Sequence, residues 1–342
     1  MKKFLVGLLA TSAIMIAAGS AYAENMPKKV GYVVNYATHE WYQNVIKGMK
    51  DRATQLGFTV EVKDANLDAA KQIAAAEDFM SQGVDVLILT PVNEDAVVPL
   101  LRRAKEEGVP VVLEGNPVKG MTTLVAICDY DTGYHAGVEA GKYAKANLGG
   151  KAKVMNVGLP LLSATVLRSM GFMDGIKTEI PDAVMVHDLD GGGNPDRAFE
   201  VSAAALAQNG DINVIYGIND SSSLGGLQAW KAAGKSQDGL LVVGTGGEGL
   251  AFINAIEKEP SYRIEAAMFP EKVGFTAVDA AVKLFNKEEV PNWIVSPTAP
   301  MVGNEWQKYY SVDGTTRTVN WDAVNAVAAP DKCMKTAADI KK

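Results

Sequence analysis

Cysteine is almost missing from this chain: Cys128 and Cys333 are the two in 342 residues. So few, set so far apart, are no disulfide framework for a small core; in an oxidising compartment they can pair, and their spacing leaves that open. Histidine is nearly as scarce. His39, His135 and His187 have no second ligand at metal spacing beside them, which argues against a structural zinc site. Neither a Ser–His–Asp order nor a Gly-x-Ser-x-Gly elbow is present. No run of Lys or Arg occurs, and 40 acidic residues against 33 basic ones give a net charge of −7, so the basic patch that nucleic acid requires is lacking. Proline is held to 14 against 33 glycines. At 48% hydrophobic and 21% charged residues, the chain buries enough apolar surface to offset chain entropy, which excludes disordered and collagen-like classes.

Long apolar runs are confined to the beginning. Lys2-Lys3, an apolar stretch from Phe4 to about Ala18, and Ser20-Ala21-Tyr22-Ala23 have the three regions of a cleaved secretory signal, residues 1–23, with the mature chain expected to begin at Glu24. The stretch falls short of the roughly 20 residues needed to span a bilayer, and no Cys stands at the cleavage site to carry a lipid. Loss of Lys2 and Lys3 moves the net charge from −7 to −9. The expected product is soluble and extracytoplasmic.

The remaining length exceeds what one core usually supports, so two domains are expected. Residues 30–34, 59–62, 84–89 and 109–113 are continuous, β-branched apolar runs, as buried parallel strands are. Between them lie helix-forming segments 41–56, 68–82 and 96–107, closed by Gly57, Gly83 and Gly108. The pattern restarts at 153–157 and continues through 184–187, 214–216 and 240–243, with helices near 167–179, 196–209 and 223–233. The fold class predicted is α/β, two doubly wound parallel-sheet lobes with a ligand cleft between them. Ligands of such sheets sit beyond the carboxyl ends of the strands, where Tyr36 to Tyr42, Asn93, Glu114 to Asn116, Leu161 to Arg168, Asn194, Asn219-Asp220 and Thr245 to Glu248 fall.

Over residues 28–302 the chain resembles the periplasmic sugar-binding proteins of ATP-driven (ABC) importers, of the ribose-binding type. The resemblance is carried by Val30-Gly-Tyr-Val-Val-Asn with Trp41-Tyr42 and Gly48, by Arg168-Ser-Met-Gly171-Phe172, by Ile218-Asn219-Asp220 with Leu224-Gly225, and by Val242-Val-Gly244. It implies three hinge crossovers, near 128–131, 264–268 and 297–300. The first lobe would then hold 24–129 plus 265–298 and the second 130–264 plus 299–342. It further implies a periplasmic protein that closes on a small neutral sugar or polyol and delivers it to the membrane permease, acting as a monomer with no cofactor, no metal and no catalysis. A receptor that presents its ligand to a membrane sensor is the alternative output.

Several residues at these positions have the chemistry that a sugar demands. Trp41 and Tyr42 can stack on a sugar face or pack into the lobe. Arg168 offers a planar fork of donors for adjacent hydroxyls and is expected to spend them on ligand, not on the core. Asn219 accepts and donates at once; Asp220 either binds or caps the following helix. Glu114 is the acidic candidate of the first lobe, with Asn116 an alternative in the same loop, and His39 can offer a neutral imidazole. Where the resembled family has an Asp and a Gln, this chain has Gly246 and Met268, which predicts a ligand smaller or less symmetrically hydroxylated than a hexopyranose, unless Glu248, Asn194 or water replaces the missing groups.

Gly244-Thr-Gly246-Gly-Glu-Gly249 also matches the Gly-x-Gly-x-x-Gly of dinucleotide sites. An exported NAD-dependent oxidoreductase is therefore the rival reading. Against it stand the motif's late place in the second lobe and the need for cofactor outside the cytoplasm; the bland reading is a strand-to-helix turn lining the cleft.

Overall fold

The computed structural model describes residues 25–340, so the expected signal segment lies outside the described residues. The first lobe runs through β1 (Val30–Val34), α1 (Glu40–Leu56), β2 (Val60–Asp64), α2 (Ala69–Ser81), β3 (Val86–Leu89), α3 (Glu94–Glu106), β4 (Val111–Glu114) and β5 (Thr123–Ala126). The second runs through α4 (Asp129–Asn147), β6 (Lys153–Gly158), α5 (Ser163–Glu179), β7 (Val184–Asp190), α6 (Pro195–Gln208), β8 (Val214–Gly217), α7 (Asp220–Ala232), β9 (Leu241–Gly246), α8 (Leu250–Lys258) and β10 (Tyr262–Ala267). Then α9 (Pro270–Phe285) and β11 (Trp293–Val295) return to the first lobe, and β12 (Ala299–Val302) joins the second.

Two six-stranded sheets result, in the orders β11-β5-β4-β3-β1-β2 and β12-β10-β9-β8-β6-β7. Apart from antiparallel β12, neighbours in both sheets run parallel. The continuous apolar runs are explained by burial on both faces. Along β1, Val30, Tyr32 and Val34 pack with Val45, Met49 and Val273 of α1 and α9, whereas Val33 packs on the opposite side with Phe79 and Val97 of α2 and α3. Helices α1 to α3 are followed by left-handed Gly57, Gly83 and Gly108, as the sequence predicts.

The return to the first lobe comes later than expected. Glu265, Ala266 and Ala267, assigned from the sequence to the first lobe, pair with β9 and β12 in the second sheet. Beyond β12 the chain forms α10 (Trp306–Tyr309), the hairpin of β13 (Tyr310–Asp313) and β14 (Thr316–Val319), α11 (Trp321–Asn325) and α12 (Ala337–Ile340). Trp306, Tyr309 and Tyr310 enter the second-lobe core. The tail also reaches beyond that lobe: Trp321 meets Phe275 of α9 at 5.0 Å, and Cys333 is disulfide-bonded to Cys128 at the first crossover, with Cα atoms 5.1 Å apart. Alongside, the Met334 amide donates to Asp131 at 2.9 Å and Lys335 to Asp174 at 3.0 Å. Among the described residues no helix is long and apolar enough to cross a membrane.

Candidate functional site

The carboxyl ends of both sheets face one cleft. On the first-lobe side β1 runs into Asn35, whose amide donates to the Tyr42 hydroxyl at 2.9 Å while its Oδ1, buried, has no partner among the described residues. His39 caps α1 by accepting the Trp41 amide at Nδ1, 3.2 Å, which leaves the proton of a neutral ring on Nε2. Burial holds that ring below the usual imidazole range. Glu114, at the end of β4 and 2% exposed, accepts from the Thr90 hydroxyl at 2.6 Å. Burial pushes its carboxyl up to about 7; the Thr90 bond opposes the rise and the charge of Asp129 adds to it.

On the second-lobe side the central group is Arg168, placed by an unusually close helix pair. A Cβ on Gly171 would lie 2.0 Å from the Tyr130 carbonyl oxygen, and one on Gly133 2.1 Å from that of Arg168, so α4 and α5 touch backbone to backbone only because both positions are glycine. That contact sets Arg168 Nε 2.7 Å from Asp129 Oδ1, with Nη1 donating to the Ile218 carbonyl at 3.0 Å. Two of the five guanidinium protons are thereby committed to the protein, and the other three have no acceptor among the described residues. The expectation that Arg168 keeps all its donors for ligand is corrected: it is also half of a part-buried ion pair.

Asn219 and Asp220 exchange the roles the sequence left open. Asn219 is the cap of α7, accepting from the Ser222 amide at 2.9 Å, and its Nδ2 donates to the Gly193 carbonyl at 2.9 Å. The same Nδ2 lies 3.3 Å from His39 Nε2 across the cleft. Asp220 does not cap. It accepts the Gly247 amide at 3.2 Å and the Glu248 amide at 2.8 Å, while Glu265 accepts the Gly247 amide at 3.0 Å and the Tyr262 hydroxyl at 2.7 Å. Burial raises the carboxyls of Asp220, Glu248 and Glu265, that of Asp220 to about 6. The Glu248 side chain stands near Arg168 and Tyr42, both of which feel its charge.

This turn answers the dinucleotide motif. The amides of Gly247 and Glu248, which would cradle a phosphate, already donate to two carboxyl groups, and an anion there would meet Asp220 and Glu265. Gly246 has φ +133°, and a Cβ on it would sit 2.9 Å from Asp220 Oδ1 and from Glu248 Cγ. A polar side chain therefore has no room at this position, and Glu248 occupies the neighbouring space.

Other candidates lie elsewhere. Trp41 packs against the first-lobe core, the second of its two readings, and Tyr42 does so with its ring while its hydroxyl meets Asn35. Met268, 1% exposed, packs in the first-lobe core. Asn194 is exposed and caps α6, accepting from the Arg197 amide at 2.9 Å. Asn116, with Gly115, faces Ser163 and Leu167 of α5 and the tail residues Cys333 and Lys335. Sequence reasoning missed Asn35, Thr90, Asp129 and Arg317; an acidic residue within the first crossover is the one visible signal among them.

Residues 30–289 match the family model described as the periplasmic binding protein domain. The chain belongs to this family. It is similar to the ribose import binding protein of Bacillus subtilis, 28% identical over 270 residues that cover 78% of this chain and 85% of that protein. It is also similar to the ribose import binding protein of Haemophilus influenzae, 27% identical over 284 residues, covering 82% and 93%. Among solved structures, an ABC transporter solute binding protein of Mycobacterium smegmatis with bound glycerol shares the fold, with a TM-score of 0.76, 22% identity, and coverage of 85% of this chain and 99% of that one.

Proposed function

We propose that the protein is an extracytoplasmic solute-binding protein that captures a small sugar or polyol by hinge closure and hands it to the permease of an ABC importer. The observation that carries this reading is the set of uncommitted hydrogen-bonding groups that both lobes bring to one cleft: three N–H donors of Arg168 and the Glu248 carboxyl from the second, Asn35 Oδ1 and Glu114 from the first. A ligand with several hydroxyls satisfies donors and acceptors at once, and each buried group left unmet costs about 1–3 kcal/mol. The 28% identity to a ribose import binding protein supports a sugar or polyol as the class. The bond of His39 to the Gly193 backbone supports closure, because the two belong to opposite lobes. The proposed site residues are Arg168, Glu114, Glu248, Asn35, His39 and Asn219. No bond is made or broken in this reading, and the sequence pattern of residues 1–23 supports a periplasmic location.

A thermal-shift screen of the mature protein against sugars, polyols and amino acids tests the reading. A ligand at 100 times its Kd adds about 2.7 kcal/mol of stability. A sugar or polyol is expected to give the largest shift; an amino acid shifting the transition while every sugar and polyol leaves it unmoved overturns the class.

A further inference from the structure

The turn at residues 246–248 is the second-lobe wall of the cleft, and every polar backbone group of Gly247 and Glu248 is spoken for. The amides go to Asp220 and Glu265. The carbonyls go to Arg317: Nη1 donates to Gly247 O at 3.2 Å and Nη2 to Glu248 O at 3.0 Å. Arg317 sits on β14, 28 residues past position 289, where the family match ends. Its guanidinium lies 4.4 Å over the Tyr310 ring, so the arm is anchored on the second-lobe core. The same Nη2 pairs with Glu271, on α9 of the first lobe; side-chain exposures of 6% and 4% make this a buried ion pair between the lobes. A first-lobe residue, Asn44 of α1, also donates to the Glu248 carbonyl.

We propose that Arg317 is a positioning residue for ligand capture, supplied by the C-terminal extension: it fixes the turn that carries Glu248 into the cleft and ties that turn to Glu271 of the first lobe. The inference rests on the solute-capture reading for its consequence, but its geometry does not depend on which solute binds. A planar fork suits the task, since three acceptors at fixed angles are served by one rigid group; a lysine ammonium has the charge without the fork. Removing Arg317 alone would strand Glu271, whose Oε2 already lacks a partner among the described residues, so the informative variant is the double change Arg317→Met with Glu271→Gln, with Arg317→Lys as the conservative one.

Hydrogen exchange on the full chain without ligand reads the positioning directly. In the double variant residues 244–250 and 40–48 are expected to exchange about tenfold faster, while residues 153–158 and 214–217 of the same lobe stay near wild type; Arg317→Lys should fall between. D-ribose and xylitol, titrated calorimetrically, supply the second arm: whichever binds the wild type should bind the double variant about tenfold more weakly or worse. Unchanged exchange at 244–250 overturns the proposal, as does equal acceleration in the control strands, which would make Arg317 a general support of the fold. If neither probe binds the wild type, neither is its solute, the sugar reading is left to the thermal-shift screen, and the exchange arm alone decides the role of Arg317.

Discussion

Strands β4 and β9 occupy the same place in their two sheets, each flanked by strands in matching order, yet they deliver an acid to the cleft in opposite ways. Glu114 ends its strand with one hydrogen bond, from Thr90, and burial, with the charge of Asp129 adding to it, pushes its carboxyl up to about 7. Glu248 stands two residues beyond its strand, and its own amide and carbonyl and those of Gly247 are bound by buried charged groups. Repeated α/β frames thus tolerate very different solutions at equivalent positions. The first lobe offers an acid held by one neighbour; the second holds its acid on a turn fixed from several segments.

Breaking the guanidinium that pairs with Asp129 and stands near Glu248 should have the largest effect. Arg168→Ala is expected to abolish measurable binding, since charge-assisted bonds contribute about 1.5–3 kcal/mol each. It should also lower unfolding free energy by about 3 kcal/mol, because Asp129 is left buried and unpaired. Calorimetry and urea unfolding separate the two; full stability with lost binding would mean that Asp129 relaxes into water. Next comes the second-lobe turn. Asp220→Ala strips the Glu248 amide of its acceptor and leaves the Gly247 amide with Glu265 alone, and a loss of about 1–3 kcal/mol with weakened binding is expected in the same experiments. Cys128→Ser with Cys333→Ser should cost about 2–4 kcal/mol while leaving binding intact, since the bond joins the tail to the crossover and not to the acids.

An effect confined to one pH range is expected at Glu114, and it has a sign. Its folded pKa is raised, from 4.5 to about 7, so the folded state holds the proton more tightly than the unfolded chain. The stability from this group is complete below about pH 4.5 and is lost as pH rises to about 7, a decline of about 3 kcal/mol. Thermal unfolding from pH 4.5 to 8 should show that decline in the wild type and a flatter profile in Glu114→Gln. A variant as pH-dependent as the wild type would mean that another buried carboxyl controls the slope.

The strand frame was legible because doubly covered strands leave an unbroken β-branched signature and glycines end the helices between them. Arg168, Glu114, His39 and Asn219 were legible as polar residues just past strands or at helix starts. What was not legible depends on partners distant in sequence. Asp220, Glu265 and Arg317 meet at one turn from three separate segments, and no periodicity links them. Asn194 reads as well for a ligand group as for a cap, and solvent exposure decides for the cap. Met268 stands where the chain passes between lobes, so a one-dimensional alignment cannot tell which core takes its side chain; the first lobe does.

A crystal structure of the protein with the sugar or polyol that gives the largest thermal shift tests the central claim most directly. The account predicts density in the cleft bridging the lobes, within hydrogen-bonding distance of Arg168 on one side and Glu114 on the other. Density confined to residues of one lobe, or lying outside the cleft, would contradict it.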